Sequence, residues 1–392
     1  MSAGAPEQND VDVVQLVNRM ILRAHHEGAS DIHIEPRTNR IRVRYRVDGV
    51  LVERPPISVG LGSSVVSRLK VMSQLDIAQK RLPQDGAFEV RIGKVIVPIR
   101  LSSFPTEYGE KVVLRLLSTA KDVPDIESLG LNPAHEKSFR RMVNHREGMI
   151  LVCGPTGAGK TTTIYALLKE LESSQRNIMT LEDPIEYRFD SIIQGQVYSK
   201  IGFDFATGLR SILRQDPDVI LVGEMRDKET AEIALKASLT GHLVFSTLHT
   251  NGAVDTFVCL LDMGLERFVV ASALRAIVSQ RLVRKLCPAC AEKVPMNAAA
   301  RQFFSIPDTE KRFLYRAKGC AQCNGTGFSG RTAIMEILEI DDELSDVMKS
   351  AGLNRRELKQ LVQQRGLKSL RHMGMELVLQ GITSIDEIVR VT

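Results

Sequence analysis

The sequence lacks any apolar run long enough to cross a bilayer. Stretches such as Met149 to Cys153 and Val219 to Val222 are strand-length, far short of the roughly 20 residues a spanning helix needs, so no transmembrane segment is expected. A signal peptide is missing as well. The opening MSAGAPEQND is polar, with neither a basic end nor an apolar core, and residues 1–10 are expected to be a disordered leader or the cut edge of a longer chain. Charge of one sign is not in large excess: a formal net charge of +5 on 392 residues lacks the dense positive field of a dedicated nucleic-acid binder, and no nucleic-acid partner is expected. Tandem repeats and low-complexity tracts are absent, which leaves ordinary packed domains. Cysteine is sparse, with 6 in the chain. Four of them stand in two close pairs, Cys287/Cys290 and Cys320/Cys323, while Cys153 and Cys259 sit alone in apolar surroundings. Without a secretory signal this spacing favours a metal over disulfides.

What is present fits two or three packed α/β domains. Val13, Leu16, Val17, Met20, Ile21 and Ala24 recur at helical spacing, with Asp12 as N-cap and Gly28 as the stop. Ile41, Val43, Tyr45 and Val47 then alternate with Arg42, Arg44 and Arg46, and Asp48-Gly49 turns the chain into Val50-Leu51-Val52. A helix around 65–72 and two alternating runs about Gly93-Lys94 complete a small α/β domain over 11–117, built on an antiparallel sheet. The stretch 118–130, with Pro124 and Gly130, breaks the periodicity and reads as an interdomain linker. From 131 to 285, short solid apolar runs (MILVC, VILVG, HLVFSTL) alternate with helical stretches, the pattern of parallel strands covered on both faces. A cysteine segment over 286–332 follows, and 333–392 reads as a helical region whose last helix is capped by Thr383 or Ser384.

The sharpest motif is Gly154-Pro155-Thr156-Gly157-Ala158-Gly159-Lys160-Thr161, a full G-x-x-x-x-G-K-[ST] between the strand MILVC and the helical TTTIYALLKEL. Glycines let backbone N–H groups wrap phosphates, and the helix N-terminus adds partial positive charge. Lys160 is expected to reach the β/γ-phosphates of ATP and the Thr161 hydroxyl to coordinate Mg²⁺, with Thr162 continuing the nucleotide-binding segment. The run Asp218 to Glu224 supplies a buried strand that ends in an acid. Glu224 is the candidate for polarising the attacking water, and Gly223 stands where a further carboxylate is usual. In Thr180 to Glu186 three carboxylates cluster past another apolar strand; Glu182 and Glu186 are candidate positioners of water or Mg²⁺, and Asp183 before Pro184 is as readily turn chemistry. His242 and His249 stand at the two ends of the buried strand LVFSTL and are both catalytic candidates; a lone histidine is more often a core residue, and one at the C-terminal end of a strand in this sheet is placed to sense the γ-phosphate.

Together and in this order, the P-loop, EDPIE, DPDVILVGEMRD and TGHLVFSTLHTN resemble the four boxes of the type II secretion and type IV pilus assembly ATPases: Walker A, Asp box, atypical Walker B and His box. ASDIHIEP, RVRYRVDG and RLPQDG resemble that family's second N-terminal domain, and FSGRTAIMEIL and GITSIDEIVRV its C-terminal part. The resemblance begins near residue 10, so the family's first N-terminal domain is expected to be missing. It implies a homohexamer of subunits with a PAS-like N-terminal domain and a RecA-like ATPase domain, cytoplasmic and held at the inner membrane by a platform protein. It implies that arginines of the N-terminal domain reach the phosphates, which makes Arg42, Arg44, Arg46, Arg81 and Arg100 the pool to search; where the family often has an arginine after QDG, this chain has Ala87. An arginine of this kind is worth ~10³ to 10⁵ in rate. The ordinary reading of three alternating arginines is a solvated strand face.

Cys287-x-x-Cys290 and Cys320-x-x-Cys323 fit tetrahedral Zn²⁺, although the loop between the pairs is longer than a short zinc ribbon's. Four thiolates close the coordination sphere, so the metal is expected to be structural. The resemblance attaches such a tetracysteine element to assembly-type rather than retraction-type motors. The expected cycle is ATP binding, closure about 118–130, hydrolysis with Glu224 and reopening. Its rivals are a retraction-type motor, a RecA-like nucleic-acid motor, a silent nucleotide-binding module and a P-loop kinase.

Overall fold

The computed structural model describes residues 12–117, 123–171, 175–304, 307 and 312–392. The expected leader over 1–10 and the first part of the expected linker, 118–122, lie outside them. The chain divides into two compact units, Met1–Thr119 and Ala120–Thr392.

In the first unit, helix α1 (Val13–His26) starts where the Asp12 carboxylate accepts from the backbone N–H of Val14 and Gln15. Six antiparallel strands follow: β1 (Ala29–Pro36), β2 (Ile41–Val47), β3 (Val50–Ile57), β4 (Gln84–Ile92), β5 (Val95–Thr106) and β6 (Gly109–Leu116), in the order β3-β2-β1-β6-β5-β4. Asp48 and Gly49 both take positive φ, the geometry a two-residue hairpin between right-twisted strands requires. Helix α2 (Val59–Met72) begins earlier than the expected 65–72, because Gly60 and Gly62 mask its pattern. Gly62 earns its place by packing: a Cβ there would lie 2.8 Å from Ile41 Cδ1. Val17, Ile21, Val65 and Leu69 from the helices meet Ile32, Ile34, Val43, Ile99 and Leu114 from the sheet.

The second unit holds a seven-stranded sheet ordered β15-β12-β7-β11-β10-β8-β9. Its strands are β7 (Gly148–Cys153), β8 (Ile178–Glu182), β9 (Ile193–Gln196), β10 (Val219–Val222), β11 (Leu243–Leu248), β12 (Leu274–Leu286) and β15 (Phe328–Glu339). Neighbours from β12 to β9 are parallel, and only β15 runs antiparallel, against β12. Solid apolar runs suit strands covered on both faces. One face packs against α3 (Pro133–Val143) and α4 (Lys160–Leu171) through Phe139, Ile164 and Leu168. The other meets α5 (Phe205–Ile212), α6 (Lys228–Leu239), α7 (Ala253–Asp262) and α8 (Arg267–Ala273) through Leu209, Leu235, Phe257 and Val270. Between β12 and β15 the chain forms the small β13 (Glu292–Pro295) and β14 (Phe313–Arg316) pair and α9 (Ala298–Phe304). Helices α10 (Asp342–Lys349), α11 (Arg355–Gln364), α12 (Leu370–Leu379) and α13 (Ile385–Val391) close the chain, α13 being capped by Ser384.

Two expected boundaries shift. The latter part of the 118–130 linker belongs to the second unit's core: Val123 and Ile126 are buried, and Ile126–Leu129 forms a 3₁₀ turn. Residues 333–339, expected to be helical, continue β15. No helix among the described residues is long and apolar enough to cross a membrane.

Candidate active site

Strand β7 ends at Cys153, and the chain must then turn over the strand edge before α4 begins at Lys160. Gly154, Gly157 and Gly159 make that turn with φ of 151°, 78° and 84°, backbone that L side chains rarely adopt. Gly154 and Gly159 are also hemmed in: added Cβ atoms would meet Gln280 O at 2.5 Å and Gln280 Nε2 at 2.9 Å. Pro155, Thr156 and Gly157 are exposed and Ala158 is buried. Lys160 is 8% exposed and donates from Nζ to Gly154 O at 2.8 Å and Pro155 O at 3.2 Å. Burial pushes its pKa down, while Glu224 and Glu186 oppose that shift. The ammonium thus lies inside the loop at the first turn of α4, with the half-buried hydroxyls of Thr161 and Thr162 beside it. Thr162 Oγ1 is 3.3 Å from the Tyr187 hydroxyl. Pro155 to Ala158 also line a cleft of about 660 Å³ shared with Asn251, Arg281, Leu282, Glu336 and residues of the chain's last helices.

The parallel register carries the next acid to the same sheet edge. Leu248 pairs with Cys153, and Val222 pairs with Ser246, so β10 and β11 end beside the P-loop. Glu224 follows β10 with a side chain 14% exposed, ion-paired to Arg226 and 3.5 Å from His249 Nε2. Its loop is fixed from β11: Thr247 Oγ1 donates to Gly223 O and Ser246 Oγ to Val222 O, both at 2.7 Å. Gly223 has a steric reason. A Cβ there would lie 3.2 Å from Leu181 O and 3.3 Å from Glu182 Cα, so the pairing with β8 leaves little room for a carboxylate.

The four paired cysteines gather their sulfurs within 4.8 Å of one another. Cys287–Cys320, Cys290–Cys323 and Cys320–Cys323 Sγ separations are 3.9, 3.8 and 3.7 Å. Tetrahedral zinc with bonds of about 2.3 Å sets sulfurs roughly 3.8 Å apart, so the donor set fits the ion. Within the cluster the thiols share their protons unequally: burial pushes Cys290 up, whereas at Cys323 burial is outweighed by N–H groups of Cys320 and Gly327 donating to the sulfur, which hold that thiol down. Thiolate is the form that binds metal.

The family description type II/IV secretion system protein matches residues 6–390. The chain belongs to that family. It is 49% identical over 98% of its length to the type II secretion system ATPase E of Vibrio cholerae, of which it covers 76%. It is 43% identical over 98% of its length to the type IV pilus assembly ATPase PilB of Thermus thermophilus, covering 44% of that protein. Among solved structures, the pilus retraction motor PilT with bound ADP superposes with a TM-score of 0.65 at 27% identity, over 95% of this chain and 96% of that one. The secretion-ATPase fold, a RecA-like α/β domain after a PAS-like α/β domain, is therefore the fold of this chain.

Within this family member the other candidates fall in different places. Glu182, the last residue of β8, is 4% exposed and turned inward. It accepts from Tyr165 Oη and Thr180 Oγ1 at 2.6 Å each and from Gln194 Nε2 at 3.3 Å, and burial raises its pKa. Glu186 is exposed. His242 as a catalytic candidate is corrected: it precedes β11, one strand length or roughly 20 Å from the P-loop edge, with Nδ1 3.0 Å from Ala237 O. In the first unit, Arg42 lies 3.4 Å from Glu53, Arg44 2.7 Å from Glu35 and Arg46 3.6 Å from Asp31. Arg81 is exposed on the loop before β4. Arg100 stands in the register row Ala87, Arg100, Arg115, Asp31, Arg46. Sequence reasoning missed Gln280 and Arg281, which contact the P-loop from β12. Their signal was present, a Ser-Gln-Arg interruption of the apolar run AIVSQRLV.

Proposed function

We propose that this chain is the subunit of a hexameric, Mg²⁺-dependent ATPase that drives assembly of a type IV pilus or a type II secretion pseudopilus through an inner-membrane platform protein. The single observation that carries this reading is Glu224, a largely buried carboxylate that meets Arg226 and His249 at the strand edge that also presents the P-loop glycines and Lys160. In the proposed reaction the P-loop N–H groups and Lys160 hold the phosphates. Thr161 ligates Mg²⁺, and Glu224 polarises the water that attacks the γ-phosphorus, His249 assisting from the next strand. Glu182 and Glu186 act on this site indirectly, Glu182 by fixing the end of β8. Arg42, Arg44, Arg46, Arg81 and Arg100 are the pool for an arginine that completes the phosphate site.

The relatives support the direction of the work. The type IV relative named above is an assembly ATPase at 43% identity, whereas the retraction motor is 27% identical. The sulfur cluster supports a structural zinc, which would tie the segment between β12 and β15 into one module and supply no open coordination position. The test is ATP turnover with and without Mg²⁺ and with and without DNA, beside Glu224→Gln. Turnover that needs Mg²⁺, ignores DNA and is lost in the variant is expected. DNA-driven turnover with steep salt dependence would replace this reading with a nucleic-acid motor.

A further inference from the structure

Strand β12 outruns its neighbour. Ser279 pairs with Cys153, the last residue of β7, and β12 continues to Leu286 alongside the P-loop. Side chains alternate across a strand, so Ser279 and Arg281 face one side and Gln280 the other. Gln280 takes the P-loop side: its Nε2 donates to Ala158 O at 2.8 Å, and its Oε1 accepts from Thr163 Oγ1 on α4 at 2.7 Å. Ser279 and Arg281 take the loop after β11. Ser279 Oγ donates to Asn251 O at 3.3 Å, and Arg281 Nη2 donates to Asn251 O at 3.2 Å and Asn251 Oδ1 at 3.1 Å. That loop begins with His249, the partner of Glu224.

Arg281 is an unusual choice for such a place. It is 8% exposed, and burial lowers its pKa. Its donors go to Gln280 O and to Asn251, and among the described residues no carboxylate comes within ion-pair distance; Glu336, which lines the same cleft, opposes the lowering only from farther away. A buried cation held by neutral oxygens costs solvation that a neutral residue would not, so it stays where its fork does something a neutral residue cannot. Its Nη1 also lies 3.2 Å from where a Cβ on Gly154 would stand, which places the guanidinium against the first turn of the P-loop.

We infer that Arg281 is a positioning residue that locks the His249 loop to the P-loop, so that His249 and Glu224 keep their place relative to the bound phosphates. The inference rests on the ATPase reading and deepens it. Arg281 bonds to Asn251 and to Gln280 O, and Gln280 in turn bonds to Ala158 O of the P-loop, so the brace lies beside the reacting atoms rather than on them and its loss is felt in the chemical step more than in nucleotide binding.

The test uses the full chain at a concentration where turnover per subunit has reached its plateau. Arg281→Ala and Asn251→Ala are compared with the unsubstituted protein for kcat and for the Kd of a fluorescent non-hydrolysable ATP analogue. Each variant is expected to lower kcat about 10- to 100-fold, the loss of one or two charge-assisted hydrogen bonds, with Kd changed less than about 3-fold. The double variant is expected to be no slower than the worse single one, because both cut the same link. Arg281→Lys, which keeps the charge without the fork, is expected to recover part of the rate. The inference is overturned by kcat unchanged in both variants, by losses that multiply in the double variant, or by a Kd that rises as much as kcat falls. Should Arg281→Ala fail to fold, Asn251→Ala alone decides through the same kcat and Kd comparison. An unsubstituted protein that binds the analogue and never turns over ATP would instead sink the ATPase reading.

Discussion

Glu224 owes its backbone position to β11, whose Thr247 and Ser246 hydroxyls hold the carbonyls of Gly223 and Val222, while Arg226 and His249 meet its side chain. Glu224→Gln keeps the shape and removes the base, so kcat is expected to fall about 10²- to 10⁴-fold with analogue affinity retained, checked by steady-state turnover beside a binding titration. Affinity that falls in step with turnover would place Glu224 in nucleotide binding instead. Glu182, its neighbour in the sequence argument, does different work. Its carboxyl gathers Tyr165, Thr180 and Gln194 in the core, and Glu182→Ala leaves those donors buried without an acceptor. A loss of about 2 to 4 kcal/mol of stability is expected, read as a lower denaturant midpoint; an unchanged midpoint would return Glu182 to the phosphate site. Motif spacing placed Glu182 beside the P-loop but not which way its side chain turns, because the hydroxyls that capture it come from α4 and from its own strand.

At the scale of elements, the cysteine module and the last helix make separate tests. One zinc per chain is expected to be released when all thiols are titrated with a mercurial reagent, and Cys287→Ser is expected to lower the melting temperature. Protein without zinc, melting alike with and without Cys287, would make the cluster a thiol pocket only. In α13, Glu387 is buried, and although burial alone would raise it, hydrogen bonds from Arg284 and Arg390 hold its carboxyl at about 2. A pKa depressed in the folded state adds stability above the unfolded value near 4.5, and that gain fades as pH falls towards 2. Glu387→Gln is therefore expected to cost about 2 kcal/mol at pH 7 and progressively less below pH 4.5, followed by urea melts across pH. A deficit independent of pH would contradict this. Elements differed in legibility for the same kind of reason. MILVC and VILVG read as buried parallel strands on composition alone, whereas β1 and β15 did not stand out as strands. In β1, Asp31 and Glu35 interrupt the apolar pattern and find their partners only in the arginines of the neighbouring β2, whereas β15 pairs antiparallel with β12, a strand distant from it in sequence.

For the whole molecule, the order of the four boxes identified the family from sequence, and the P-loop, Glu224 and His249 meet at one edge of the sheet. What the boxes could not reveal is the brace from β12, because Gln280 and Arg281 act through a strand that reaches the P-loop only after folding. The proposed homohexamer extends to a further proposal, that each nucleotide site is completed between subunits of the ring. Its most direct test is ATP turnover per subunit measured against protein concentration, with the mass of the assembly followed by sedimentation over the same range. Turnover per subunit is expected to rise with concentration and to level off where six-subunit rings form, with a mixture of active and Glu224→Gln subunits less active than its active fraction. Full turnover per subunit from a monomer at every concentration would contradict the account.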